Sequence, residues 1–144
     1  MKKKARQEWL TGIAIGLIFS ILVFSKLAFG AELSDEDITL IEKTVQAEAG
    51  NQSIQGRRYV AAVIINRVDS PAFPDTVKGV LSQDGQFSTY KHLSSTEATW
   101  QDKLATKMEV ESRSNADIVF FRAGHYGYGE AAFQFEDHYF STLK

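Results

Sequence analysis

Residues 60–65 read Val60-Ala61-Ala62-Val63-Ile64-Ile65, and Val68 follows after Asn66 and Arg67. On a helix over 53–69 these side chains are apolar almost all round, and such a helix in a globular protein has to be central and buried. The rest of the chain is expected to pack around it. Gly56 and the Ala61-Ala62 pair would let another helix approach closely. Arg57 and Arg58 cluster at its start. Asn66 and Arg67 near its end either serve a site or act as a cap and a surface ion pair.

The segment before it, 33–49, places a carboxylate where a helix ought to be apolar. Ile38, Ile41 and Val45 are spaced three and four apart, a helical stripe. Glu48 follows Ile41 by seven residues, close to two turns, so it projects from nearly the same face. Glu36 and Glu42 fall off that face. A carboxyl group set against apolar neighbours has its charged form disfavoured and its pKa raised. A general acid working near neutral pH needs that shift. The structural alternative is a buried glutamate paired with an arginine such as Arg67. Ser34 with Asp37 forms a capping-box pattern at the start of this helix. Gly50-Asn51 offers residue types that accept a left-handed conformation at its end.

The remaining elements define an α+β class, mainly helical with a small antiparallel sheet at the C-terminal end. A turn at 70–75 leads into a short helix from Pro74 to about residue 81. The stretch Gln86-Phe87-Ser88-Thr89-Tyr90 reads as a loop or short strand. Ser94-Ser95-Thr96-Glu97 is a second capping-box pattern, predicting an amphipathic, peripheral helix to about residue 112 with Ala98, Leu104, Ala105 and Met108 inward. Ile118-Val119-Phe120-Phe121 reads as a buried strand, 123–130 as a glycine-rich loop, 132–135 as a strand and His138-Tyr139-Phe140 as a short edge element.

Residues 1–30 are a different kind of sequence. Lys2, Lys3, Lys4 and Arg6 precede an apolar run over 12–24, and Ala28-Phe29-Gly30 precedes Ala31. A basic start, an apolar stretch of roughly 7–15 residues and small residues at a cleavage site describe a secretory signal peptide. If Lys26 snorkels, the same segment would serve as an N-terminal membrane anchor. Either way 31–144 is expected to be an exported domain. Residues 1–30 hold five of the 16 basic and one of the 18 acidic residues, leaving 31–144 with a net charge of −6. That balance argues against a nucleic-acid binder. With no cysteine in the chain, disulfides, thiolate metal sites and a cysteine nucleophile are excluded.

Other chemistries find little support. The histidines, His92, His125 and His138, show no zinc-binding spacing, and there is no nucleophile elbow or phosphate-binding glycine loop. Tyr90, Tyr126 and Tyr128 lie in polar, glycine-rich contexts where aromatic rings either stack on sugars or anchor loops.

Taken together, Gln46-Ala47-Glu48-Ala49-Gly50-Asn51-Gln52, Gly56, the 60–68 run, Ser70-Pro71-Ala72-Phe73-Pro74-Asp75-Thr76 and Gln86-Phe87-Ser88 resemble the cell-wall hydrolase family of the spore-cortex-lytic enzymes. Phe120-Phe121 and His138-Tyr139-Phe140 look like that family's closing strands. The resemblance covers about 36–143. It implies a lysozyme- or lytic-transglycosylase-like fold and cleavage of the MurNAc–GlcNAc bond of peptidoglycan, with Glu48 matching the catalytic glutamate. Members often carry a second glutamate four residues later, where this chain has Gln52. By motif position and polarity, Asn66, Ser88, Tyr90, His125 and Tyr126 are expected to line the substrate cleft. The expected partner is the glycan strand alone, bound by a monomer with no cofactor, no metal and no membrane contact beyond 1–30. Two alternatives stay open: an N-acetylmuramoyl-L-alanine amidase, which would release stem peptides, and a non-catalytic exported peptidoglycan-binding module.

Overall fold

The structure, a computed structural model, describes residues 30, 32–114 and 116–144. The expected signal peptide or anchor over 1–30 lies outside the described residues, Gly30 excepted. Among the described residues no helix is long and apolar enough to cross a membrane.

Helix α1 spans Asp35–Ala49. Its start is the expected capping box: Ser34 N–H and Oγ donate to Asp37 Oδ2 at 3.0 and 2.7 Å, and Asp37 N–H donates back to Ser34 Oγ at 3.2 Å. Three acidic residues in the first turn complement the helix dipole. Ile41, Val45 and Ala49 are fully buried, while Ile38 and Glu48 lie half-buried on the margin of that stripe. The helix does not end in a left-handed residue. Gly50 is right-handed at φ −59°, and its lack of a side chain matters for space: a Cβ there would sit 2.6 Å from the Gln46 carbonyl oxygen.

Helix α2, Ile54–Asp69, is the central helix the apolar run required, and every residue from Val60 to Ile65 is fully buried. Ser53 caps it, accepting from Gly56 N–H. It packs against α1, against α3 (Val77–Leu81), against α4 (Trp100–Glu111) and against β1 (Phe120–Ala123). The close approach at Gly56 is made by the Glu136 carboxylate rather than by a helix. Helix α3 begins at the Thr76 cap, so Pro74 belongs to the preceding turn.

Two expectations about the middle of the chain are corrected. The Ser94 capping pattern is not used. Ser88–Ser95 forms a 3₁₀ helix, and α4 starts after Thr99, whose N–H and hydroxyl both donate to Asp102 Oδ2 at 2.7 Å. Nor is α4 a peripheral helix with its charges in water. Asp102, Thr106 and Glu109 are buried with Ala105, whereas Trp100 and Leu104 are exposed. The cause lies in α2: Arg57 Nη1 pairs with Asp102 Oδ1, and Arg58 Nε pairs with Glu109 Oε2 at 2.9 Å. Those arginines draw the acidic face of α4 inward.

The C-terminal sheet also differs in one respect. Its strands are β1, β2 (Glu130–Phe135) and β3 (His138–Thr142), all antiparallel, in the order β1-β3-β2. The expected edge element is therefore the central strand, with Phe140 opposite both Phe121 and Phe133. Tyr59 of α2 packs edge-on to Phe133 and Phe135 at 5.0 and 5.2 Å between centroids, which joins sheet to helix.

A buried ion pair deprived of one partner leaves an uncompensated charge in the core. Asp102→Ala is expected to lower stability by about 3–5 kcal/mol in urea unfolding. Lys107→Ala, which breaks the exposed Lys107–Glu111 pair, is expected to change it by no more than about 1 kcal/mol.

Candidate active site

Glu48 lies in the last turn of α1, with its carboxyl half-buried rather than sealed in the core. The Thr89 hydroxyl, at the start of the 3₁₀ helix, donates to Glu48 Oε1 at 2.5 Å. Burial raises the Glu48 pKa above the ordinary carboxyl value, and hydrogen bonds from the Thr89 side chain and backbone pull the other way. The helix end acts in the same direction as burial, because the negative end of the α1 dipole disfavours a carboxylate, and no basic residue occupies that turn.

The arginine that sequence reasoning offered as a partner for Glu48 is engaged elsewhere. Arg67 is buried, donating from Nε to Val119 O at 2.6 Å and from Nη2 to Gln86 Oε1 at 3.0 Å. Its guanidinium carbon lies 4.9 Å from the Phe73 ring centroid and 5.3 Å from those of Phe87 and Phe120. Burial lowers its pKa to about 10. Arg67 is therefore neither a cap nor a surface ion-pair partner. It floors a pocket of about 350 Å³ whose walls include Gln86, Phe121, Arg122, Tyr128 and Tyr139. Glu48 is not among the residues lining this pocket. The two are linked through one short segment, in which Gln86 lines the pocket, Phe87 packs on Phe121 and Thr89 holds Glu48.

The other candidate residues divide. Ser88 is exposed at the start of the 3₁₀ helix, next to Thr89. Tyr90 is half-buried and packs against the main core, so part of its ring anchors the segment. His125 and Tyr126 are exposed in the loop between β1 and β2, and Tyr126 packs edge-on at 5.0 Å to Tyr139, a wall of the pocket. Asn66 does not join them. Its amide donates to Ala116 O at 2.7 Å and Ile118 O at 2.9 Å, clamping the approach to β1, and it borders a separate pocket with Asp69 and Asp117. His138, read as structural, is buried edge-on to Phe121, and burial lowers its pKa against the pull of Asp137 and Glu136.

Thr89 was missed. It stood in the polar–aromatic stretch at 86–90, but nothing local marked it above Ser88 or Tyr90. Gln52, at the position where members of the resembled family often carry a second glutamate, is a buried clamp. Its Nε2 donates to Asp137 Oδ2 at 2.9 Å, and its Oε1 accepts from Asp137 N–H at 3.3 Å. A carboxylate there would face Asp137 with like charge, so the amide suits this chain. Among the described residues no three His, Asp or Glu side chains converge in a way that could hold a metal ion.

The chain is similar to known proteins. A cell wall hydrolase family model matches residues 51–140, more than half of the chain, beginning three residues beyond Glu48. The spore cortex-lytic enzyme of Halalkalibacterium halodurans is 45% identical over 58 residues, which is 40% of this chain and 18% of that enzyme. The spore cortex-lytic enzyme of Bacillus subtilis is 40% identical over 55 residues, 38% of this chain and 18% of its own length. The matched region thus spans about a fifth of these curated relatives. Among solved structures, the catalytic domain of the Bacillus cereus SleB protein superposes with a TM-score of 0.69 at 23% identity, covering 77% of this chain and 93% of that one. The catalytic domain of the germination-specific lytic transglycosylase SleB from Bacillus anthracis gives 0.69 at 22%, covering 79% and 100%. These superpositions establish a lysozyme-like fold, helical with a small antiparallel sheet, as the sequence predicted. With the family model spanning most of α2 through β3, the chain belongs to the cell wall hydrolase family.

Proposed function

We propose that the chain cleaves the MurNAc–GlcNAc bond of peptidoglycan as a lytic transglycosylase, with Glu48 as its single acid and base. The observation that carries this reading is the half-buried Glu48 carboxyl, its pKa raised by burial and one oxygen held by Thr89. Family membership and the names of the relatives support the substrate class.

The chemistry follows from one carboxyl group. A glycosidase with two carboxylates needs them about 5–5.5 Å apart for retention or about 6.5–9.5 Å apart for inversion. Gln52 supplies no such partner. Protonated Glu48 gives its proton to the glycosidic oxygen as the C1–O bond breaks and the GlcNAc-side hydroxyl leaves. The muramic acid's own 6-hydroxyl then attacks C1, and the Glu48 carboxylate takes that hydroxyl's proton. The product is 1,6-anhydro-muramic acid, no water is consumed, and Glu48 ends as it began. Thr89 keeps the carboxyl oriented through both steps. Ser88, Tyr90, His125 and Tyr126 are proposed as walls of the glycan cleft. The same reading makes the domain an exported one, delivered by residues 1–30, that acts as a monomer on glycan strands outside the membrane.

Mass spectrometry of digested sacculi is expected to show anhydro-muramic ends, and reducing muramic ends or free stem peptides would overturn the transglycosylase reading. Glu48→Gln is expected to lower kcat by at least about a hundredfold. The same variant has a thermodynamic signature. A carboxyl whose folded pKa is raised makes the fold lose stability as pH rises from the ordinary carboxyl value through the raised one. E48Q is therefore expected to melt above wild type at neutral pH, with the gap closing under acid conditions. Thr89→Val removes a hydrogen bond that favours the carboxylate, so the Glu48 pKa climbs further. The alkaline limb of kcat/KM against pH is expected to move to higher pH, and an unmoved limb would remove Thr89 from the site.

A further inference from the structure

The pocket floored by Arg67 carries positive charge without a counter-ion among the described residues. Buried charges in proteins are ordinarily paired, because desolvating one alone is costly. Arg57 obeys that rule through Asp102, and the half-buried Arg58 is likewise paired with Glu109. Arg67 does not: its hydrogen bonds run to a backbone carbonyl and a neutral amide, and its Nη1 is buried with no hydrogen-bond partner among the described residues. Three aromatic rings surround the guanidinium, which compensates only in part. Arg122, which also lines the pocket, is exposed and has no ion pair among the described residues. Among the described residues no acidic side chain lines the pocket, although the domain from residue 31 onward is acidic overall. Two cations and no anion, in a cavity of about 350 Å³, leave the neutralising group to a ligand.

We infer that this pocket is a subsite for a carboxylate of the stem peptide carried by the muramic acid of the substrate. The assignment rests on the peptidoglycan reading above, since that substrate brings carboxylates next to the sugar chain. Arg122 makes the direct contact as a planar fork matched to a carboxylate. Arg67, held in place by Gln86 and Val119, contributes a fixed positive field from the floor, where low dielectric strengthens it. Tyr128 and Tyr139 form walls against which the sugar or the peptide backbone can lie. The 86–89 segment joins the pocket to the carboxyl group, so a peptide held by Arg122 would fix the register of the glycan across Glu48.

Binding is the appropriate test because it does not require turnover. Calorimetric titration of the full chain carrying E48Q with N-acetylmuramyl-L-alanyl-D-glutamate is expected to show saturable binding. Its dimethyl ester is expected to bind about tenfold more weakly, as expected for loss of a charge-assisted hydrogen bond. Adding Arg122→Ala is expected to bring the free acid down to the ester's affinity while leaving binding of neutral chitotriose unchanged. Arg122 is exposed, so this substitution does not threaten the fold. Equal affinity for acid and ester, or an Arg122→Ala loss shared by chitotriose, would overturn the subsite. Inorganic phosphate competing as strongly as the muramyl peptide would overturn the carboxylate assignment in favour of a phosphate-bearing ligand. Failure of the transglycosylase reading would show instead in the product analysis, with acid-selective binding intact.

Discussion

Arg57 is the side chain on which the rest of the structure depends. It lies buried in the first turn of α2 and reaches in three directions. Nη1 pairs with Asp102 of α4 and lies 3.2 Å from Gln46 Oε1, Nη2 donates to the Gly50 carbonyl, and Nε donates to the Gln52 carbonyl at 3.0 Å. The last turn of α1 leaves carbonyls without intrahelical partners, and Arg57 satisfies one of them. One guanidinium thus fastens α1 to α2 and α2 to α4. Because Glu48 sits in the turn that Arg57 fastens, the position of the candidate acid is tied to the same contact that holds the helices together.

That arrangement also explains how a carboxyl group can remain half-buried near neutral pH without an ion-pair partner among the described residues. The helix dipole works against ionisation, and Thr89 offers one oxygen a hydrogen bond without a charge. Had Arg67 reached Glu48, attraction would have lowered the pKa and fixed the carboxylate as an anion, the wrong protonation state for donating a proton. Instead the rings of Phe73, Phe87 and Phe120 and the hydrogen bonds to Val119 and Gln86 engage Arg67.

Legibility in the sequence followed the range of the interaction. The burial of α2 was readable because a run of six apolar residues leaves no polar face to expose. The placement of Glu48 was readable from a seven-residue spacing, and the Ser34 cap from a three-residue one. What could not be read depended on partners far along the chain. Two capping patterns competed to start α4, and the choice fell to Thr99–Asp102 because Asp102 also meets Arg57, 45 residues upstream. The inward charges of Asp102 and Glu109 looked like a solvated face for the same reason. The centrality of β3 is set by pairing on both edges, which no local alternation reveals. Thr89 became visible only when the 3₁₀ helix brought it to the end of α1.

Helix α2 therefore carries buried arginines in two electrostatic conditions. At its start, Arg57 and Arg58 are neutralised by acids of α4, and the result is a joint between helices. Near its end, Arg67 is as buried as Arg57 but meets only rings, a carbonyl and an amide. Aromatic faces and neutral acceptors hold a guanidinium in place without cancelling its charge. Within one helix, the difference separates a charge used for folding from a charge left over at a cavity wall. The second arginine of that cavity, Arg122, sits on β1 rather than on a helix. An anion held between the two would therefore bridge the helical body and the sheet, beside the segment that orients Glu48.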